Sequence, residues 1–234
     1  MKNKMQFSII IPCYNEAKLI SSTLDQVENF FKSKNWSFEI IVIDDGSTDQ
    51  TAELASKFNI KLLKNEKNQG KGYSISRGVQ ASSGELILFT DADLSTPIEE
   101  LEKLLLFIPE YDIVIGSRAM ADSQIEKSQP WYKEGLGKMG NLLIRLILGL
   151  KIKDTQCGFK LFKRKVIDIF ERQTINGWGF DFEILFIAQN RGYQIKEVAV
   201  RWLNEPNSKV TVSGYLRTVE ELLRVRWNSW RGKY

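Results

Sequence analysis

The chain has 234 residues, with 33 Lys and Arg against 29 Asp and Glu, a net charge of +4 and a pI near 8.9. At 43% hydrophobic and 26% charged it carries enough apolar material for one large core, which excludes disordered and fibrous classes. The basic excess is too small to argue for nucleic acid, and the absence of His removes the commonest zinc ligand and general base.

The apolar run Phe7 to Ile11 predicts a strand buried on both faces, ended by Pro12. Ala17, Ile20, Leu24, Val27 and Phe31 then mark one face of a helix. Phe38 to Ile43 is a second strand, stopped at Asp44-Asp45-Gly46. Ser47 with Gln50 reads as a capping box opening a helix to about Phe58. A third strand covers Ile60 to Leu63, and Gly70 and Gly72 lead into a helix near Tyr73 to Ala81. Leu86 to Thr90 is the fourth strand, running into Asp91-Ala92-Asp93. Thr96, Pro97 and Glu99 predict a capped helix to about Ile108, followed by a fifth strand, Ile113 to Gly116. This alternation argues a parallel α/β sheet covered by helices.

The polar stretch 117–134, which holds Pro130, reads as a loop rather than a linker. Beyond it, the pattern predicts helices over Gly135–Leu150 and Phe182–Asn190, an extended piece Gly158–Phe162 and an edge strand Ile195–Trp202. A last amphipathic helix covers Tyr215–Trp230. One domain, 1–234, is expected, with a ligand-binding half 1–117, a second half 118–214 and a C-terminal helix 215–234. Cys13 and Cys157 lack metal-ligand spacing and read as reduced cytosolic thiols. Met1 to Gln6 is too polar for a signal peptide. The longest apolar stretch, Leu142 to Leu150, is broken by Arg145 and falls short of the roughly 20 residues that span a bilayer.

In a parallel sheet the ligand lies beyond the carboxyl ends of the strands. Acidic residues follow three of them: Glu16 after the first, Asp44 and Asp45 after the second, Asp91 and Asp93 after the fourth. Asp91-Ala92-Asp93 alone reads equally well as a turn that caps a helix. Because Ser95 or Thr96 already supplies a cap, the carboxylates are free to bind Mg²⁺ or Mn²⁺, which would neutralise a diphosphate. Asp44 or Asp45 is placed to accept from a base or a ribose hydroxyl. The Gly-rich dinucleotide fingerprint and the P-loop are both missing.

These segments, Ser8 to Glu16, Val42 to Asp49, Asn68 to Gly72 and Asp91-Ala92-Asp93, resemble family 2 glycosyltransferases of the GT-A fold. Asp154 to Phe162, followed by Trp178 to Glu183, narrows the resemblance to enzymes that glucosylate or mannosylate dolichyl phosphate. The resemblance implies a Rossmann-like, mostly parallel central sheet flanked by helices. It implies that Pro12, Tyr14, Glu16, Asp44, Asp45, Lys71, Asp91, Ala92 and Asp93 line the nucleotide-sugar pocket. Asp91 and Asp93 would hold Mg²⁺ or Mn²⁺, and Arg118 and Lys209 would bind phosphate. Asp93, Asp154, Arg118 and Lys209 form the expected catalytic set. Leu203 stands where the mannosyl enzymes carry an Arg, so that either Arg201 substitutes or the role is lost, and Ser95 stands where they can place a metal-binding Gln.

The implied reaction is inverting transfer of a hexosyl group, with UDP-glucose the favoured donor, to a polyprenyl or dolichyl phosphate. An anionic phosphate acceptor attacks without a strong base, in keeping with a chain that has no His. GDP-mannose, a non-lipid acceptor, or a nucleotide-sugar-binding module without catalysis are the alternatives. Asp181 and Glu183 read equally as acceptor-positioning acids and as acids favoured at a helix start. Leu216, Leu223 and Trp230, each followed by an Arg, point to a helix lying on a membrane surface or, equally, docked on the core. The expected setting is peripheral, at the inner membrane face, with a membrane-protein partner or a second copy of the chain as further partners.

Overall fold

Seven short apolar runs become the strands of one sheet. The computed structural model describes residues 6–126, 131–203 and 212–234. The strands are β1 (Phe7–Cys13), β2 (Phe38–Asp44), β3 (Lys61–Lys64), β4 (Leu86–Thr90), β5 (Ile113–Ser117), β7 (Phe159–Lys163) and β8 (Ile195–Ala199), in the order β3-β2-β1-β4-β7-β5-β8. All pair in parallel except β7, which runs antiparallel between β4 and β5. The order reverses between β1 and β4, so a crevice opens there beyond the strands' carboxyl ends.

Alternation along each strand sends neighbouring side chains into opposite cores. Ile10 and Phe89 join one core, while Ile9, Ile11 and Leu88 join the other. The first core is closed by α3 (Lys71–Gln80) and α7 (Phe180–Asn190), through Ile75, Val79, Phe180 and Ile184. The second is closed by α1 (Ile20–Ser33) and α4 (Leu101–Leu105), through Leu24, Val27, Phe31, Leu101 and Leu104. At the amino ends of β1 and β2, Phe7, Phe31, Trp36 and Phe38 pack ring against ring, 5.0–5.8 Å between centroids.

Several expectations change. The helix after β2 is only α2 (Thr51–Ala55), because the Ser47 hydroxyl is taken by the Asn15 N–H at 2.9 Å and Asp49 accepts from Thr51 instead. The helix after Pro97 is a 3₁₀ turn, Ile98–Glu100, leading into the five residues of α4. No side chain caps it, and the Glu100 carboxylate turns away to Lys103 and the Arg201 N–H. The 117–134 loop contains a strand, β6 (Gln124–Glu126), and the start of α5 (Trp131–Leu148). The single edge strand splits at Val200, and β9 (Arg201–Leu203) leaves the main sheet to pair with β6. A short α6 (Asp168–Glu171) has no forerunner in the pattern.

The C-terminal helix is α8 (Val212–Trp230), and its two faces differ. Leu222 and Val225 enter the first core, and Glu221 accepts the Gly179 N–H at 2.7 Å. Asn228 bonds Thr174, and the Tyr234 hydroxyl donates to Glu183, so the docked reading holds for this face. Leu216, Val219, Leu223, Trp227 and Trp230 form a bare stripe on the other. On α5, Leu142, Leu143 and Leu146 are likewise exposed, whereas Leu150, just beyond it, is buried. Among the described residues no helix is long and apolar enough to cross a membrane.

Candidate active site

The strand ends carry the expected residues to one edge. Pro12 does not end β1 but pairs within it opposite Ile43; the strand runs on to Cys13, and Tyr14, exposed, follows it. Asp44 and Asp45 leave β2, and Asp91, Ala92 and Asp93 leave β4. Arg118 follows β5 and Asp154 precedes β7. Glu16 stays at the start of α1, where its N–H donates to Thr51 and its carbonyl accepts from Leu19 and Ile20. Lys209 lies outside the described residues.

The two carboxylates after β2 differ. Both oxygens of Asp45 are engaged inside the chain: Oδ1 by the Asn65 amide and the Gln69 N–H at 2.9 Å, Oδ2 by the Gly70 N–H at 2.9 Å. Asp45 thus shapes the loop that delivers Lys71. Asp44 is buried beside it, and among the described residues its side chain accepts one hydrogen bond, from the Ser47 N–H to Oδ1 at 3.2 Å.

After β4, the partners are of another kind. Asp91 meets the Lys71 ammonium at 2.6 Å. Asp93 is exposed, and its Oδ1 accepts the Ser95 N–H at 2.9 Å, so it does brace the turn. Desolvation and the Asp91 charge beside it push the Asp93 carboxyl above its ordinary range. Burial alone would lower the Lys71 ammonium, but Asp91 and Asp181 outweigh it and hold its pKa above the usual value. Gly158 is what lets Asp91 stand here, since a Cβ at that position would lie 1.9 Å from Asp91 Oδ2.

Arg118 and Asp154 are brought together. The guanidinium grips both carboxylate oxygens at 2.8 and 2.9 Å, and the Arg118 N–H adds a third bond at 2.8 Å. Burial raises an acid, yet Arg118 prevails and holds Asp154 below its ordinary range. Asp154 is therefore an orienting partner of Arg118, which also lies against the Trp202 ring at 5.4 Å. Arg201, the candidate to substitute for the missing Arg, has its Nε buried with no hydrogen-bond partner among the described residues.

Of the two acids at the start of α7, Glu183 accepts from Thr174, Ile175 and Tyr234, which makes it a structural clasp. Asp181 is buried against the Lys160 ammonium, and both Lys160 and Lys71 lie near the Phe89 ring. The Lys160–Asp181 pair escaped sequence reasoning. Its one signal is a lysine in the buried run Phe159-Lys160-Leu161-Phe162, where a charge needs a partner.

Among the described residues no three acids, cysteines or histidines stand together as a metal cage. The set that is present is two carboxylates with hard oxygens, one of them raised by the other's charge. Such a set suits a cation that completes its shell with phosphate and water.

The profile of the family described as Glycosyl transferase family 2 matches residues 8–170. A dolichyl-phosphate beta-glucosyltransferase of Trichomonas vaginalis is 37% identical over 93% of this chain and 70% of its own length. The enzymes of that name from Dictyostelium discoideum and Homo sapiens are 36% and 32% identical, over 96% and 94% of this chain and 75% of theirs. Among solved structures, mannosyl-3-phosphoglycerate synthase from Rubrobacter xylanophilus superposes with a TM-score of 0.73 at 18% identity, covering 98% of this chain and 76% of that one. Glucosyl-3-phosphoglycerate synthase from Mycobacterium tuberculosis, solved with Mn²⁺, UDP and phosphoglyceric acid, gives 0.70 at 17% identity, covering 95% and 78%. At that identity the structures speak for the fold, which is GT-A.

Proposed function

The chain belongs to glycosyl transferase family 2, and from that premise we propose that it moves a glucosyl group from UDP-glucose to a dolichyl or other polyprenyl phosphate. The observation that carries the reading is the placement of charge at the switch in strand order. Lys71 meets Asp91 from the start of α3, Asp91 and Asp93 follow β4, and Arg118 follows β5 at the same end of the sheet. The names of the curated relatives support a glucosyl group and a dolichyl-phosphate acceptor. The Mn²⁺–UDP complex of a structural neighbour supports a nucleoside diphosphate here.

Pro12, Tyr14 and Glu16 border the nucleotide at the end of β1, and Asp44, with an oxygen to spare, reads the base or ribose. Asp91 and Asp93 would hold Mg²⁺ or Mn²⁺, which when bound stabilises charge on the departing diphosphate. Lys71 adds a fixed positive charge at the same place. Arg118, aligned by Asp154, binds a phosphate, and Lys209 is proposed to do the same. A phosphate monoester is already anionic near neutral pH, so the protein need only align it behind the anomeric carbon. One in-line displacement inverts that carbon.

A lipid acceptor calls for a surface that meets the bilayer. The bare stripe of α8, flanked by Arg217, Arg224 and Arg231, and the exposed leucines of α5 have the composition of helices that rest in a membrane interface. The test is labelled UDP-glucose with Mn²⁺ and polyprenyl phosphate, with GDP-mannose in parallel. Label in the organic extract from UDP-glucose alone is expected. Label released only as free glucose, or carried from GDP-mannose instead, refutes the assignment.

A further inference from the structure

Between Asn176 and α7 lies Gly177-Trp178-Gly179, a turn that the ion network does not account for. Both glycines make room for a residue of α8, and the second also for the Phe182 ring. A Cβ at Gly177 would stand 2.0 Å from Glu221 Oε1, and one at Gly179 would stand 2.8 Å from Oε2, which accepts the Gly179 N–H at 2.7 Å. The carboxylate packs against both glycine positions, beside the Phe182 ring at 2.7 Å from a Cβ at the second, and so seats the residue between them. That residue is a tryptophan left 45% exposed. Its ring lies 5.0 Å from the Lys71 ammonium, which itself touches Asp91 at 2.6 Å. A large apolar plane, seated by that turn, thus stands one contact away from Asp91.

We propose that Trp178 is the platform on which the transferred hexosyl ring rests, and that Glu221 is the positioning residue that seats it. The inference deepens the donor reading above and rests on it. A pyranose presents a face of C–H bonds and a rim of hydroxyls. The indole offers the first an apolar plane that exposes no charge, while the polar groups around Lys71 and Asp91 suit the second. The sugar is joined directly to the diphosphate, so a platform must lie beside the groups that hold the diphosphate, as Trp178 does. Glu221 acts through the turn and touches no ligand. It also lies on the face of α8 opposite the bare stripe, so the helix that offers apolar surface outward holds the sugar platform inward.

The test is calorimetric titration of the full chain, in Mn²⁺, with UDP and with UDP-glucose separately. Trp178→Ala is expected to keep UDP affinity within about twofold and to lose about tenfold on UDP-glucose, with Trp178→Phe recovering most of the loss. Glu221→Ala should show the same sugar-selective loss, and Glu221→Gln, whose amide oxygen still accepts the Gly179 N–H, should restore it. A partly unfolded variant loses both ligands together, so the ratio of the two affinities separates seating from folding. Equal losses on UDP and UDP-glucose, or no loss on UDP-glucose, overturn the platform. A wild-type chain that binds neither ligand overturns the donor reading, and the platform falls with it.

Discussion

Two acidic loops leave strands on either side of β1, and in the sequence they look alike. Asp44-Asp45 follows β2 and Asp91-Ala92-Asp93 follows β4. The first turns inward: Asp45 is saturated by backbone and amide donors and holds the chain in shape. The second turns outward: Asp91 is balanced by the Lys71 ammonium, and Asp93 is exposed. A carboxylate satisfied by backbone N–H groups is architecture, whereas one balanced by a side-chain cation beside a like charge is ready to exchange partners.

That contrast can be broken from the outward side first. Asp93→Ala should lower turnover by about a thousandfold in a labelled-donor assay, while circular dichroism and melting stay at the wild-type values. Retained turnover would place Asp93 with Asp45, as a brace. From the inward side, Asp45→Ala should cost roughly 3 kcal/mol, because buried N–H donors lose a charged partner; the urea midpoint reads it. An unchanged midpoint would mean that Gln69 and Gly70 find other acceptors.

Arg118 and Asp154 lie between these extremes, since their charges are matched inside the chain yet face the site. Arg118→Lys keeps the charge and loses the two-pronged grip, so acceptor turnover should fall by about tenfold with little loss of stability. Asp154, held below the ordinary carboxylate range, contributes stability that is whole at neutral pH. That contribution declines as pH drops through the ordinary range and is gone below the depressed native value. Asp154→Asn should remove this acid limb from a plot of stability against pH. The smallest effect on the fold belongs to the bare stripe of α8. Leu223→Glu should change stability by no more than about 0.5 kcal/mol and yet weaken sedimentation with anionic lipid vesicles. Undiminished sedimentation would remove this stripe from the membrane reading.

How much of this was legible follows from the range of the interactions. The runs Ile9 to Ile11 and Ile40 to Ile43 announce buried strands because burial on two faces leaves no polar positions. Asp91 and Asp93 were legible because strand ends point at ligands in this class of sheet. The fate of Asp45 was not, because its partners lie 20 to 25 residues away and two are backbone groups with no side-chain signature. Ser47 looked like a cap until Asn15, 32 residues earlier, claimed it. Glu183 and Tyr234, 51 residues apart, were equally invisible to any local pattern. The direction of β7 was hidden for another reason: a buried strand reads the same in either sense.

The position of β7 bears on how the chain is made. β4 and β5 are consecutive in sequence, yet each pairs with β7 and neither with the other. On a ribosome, β1 to β4 can assemble as they emerge, but β5 must wait with its polar backbone unmet until residues 159–163 arrive. The sheet closes late, over a long loop, and long-range closure of this sort slows folding. Until then, the edge of β4 stands open to strands of other molecules. The strand that joins β4 to β5 also brings Gly158 against Asp91, so the carboxylate loop acquires its final shape only once β7 is in place.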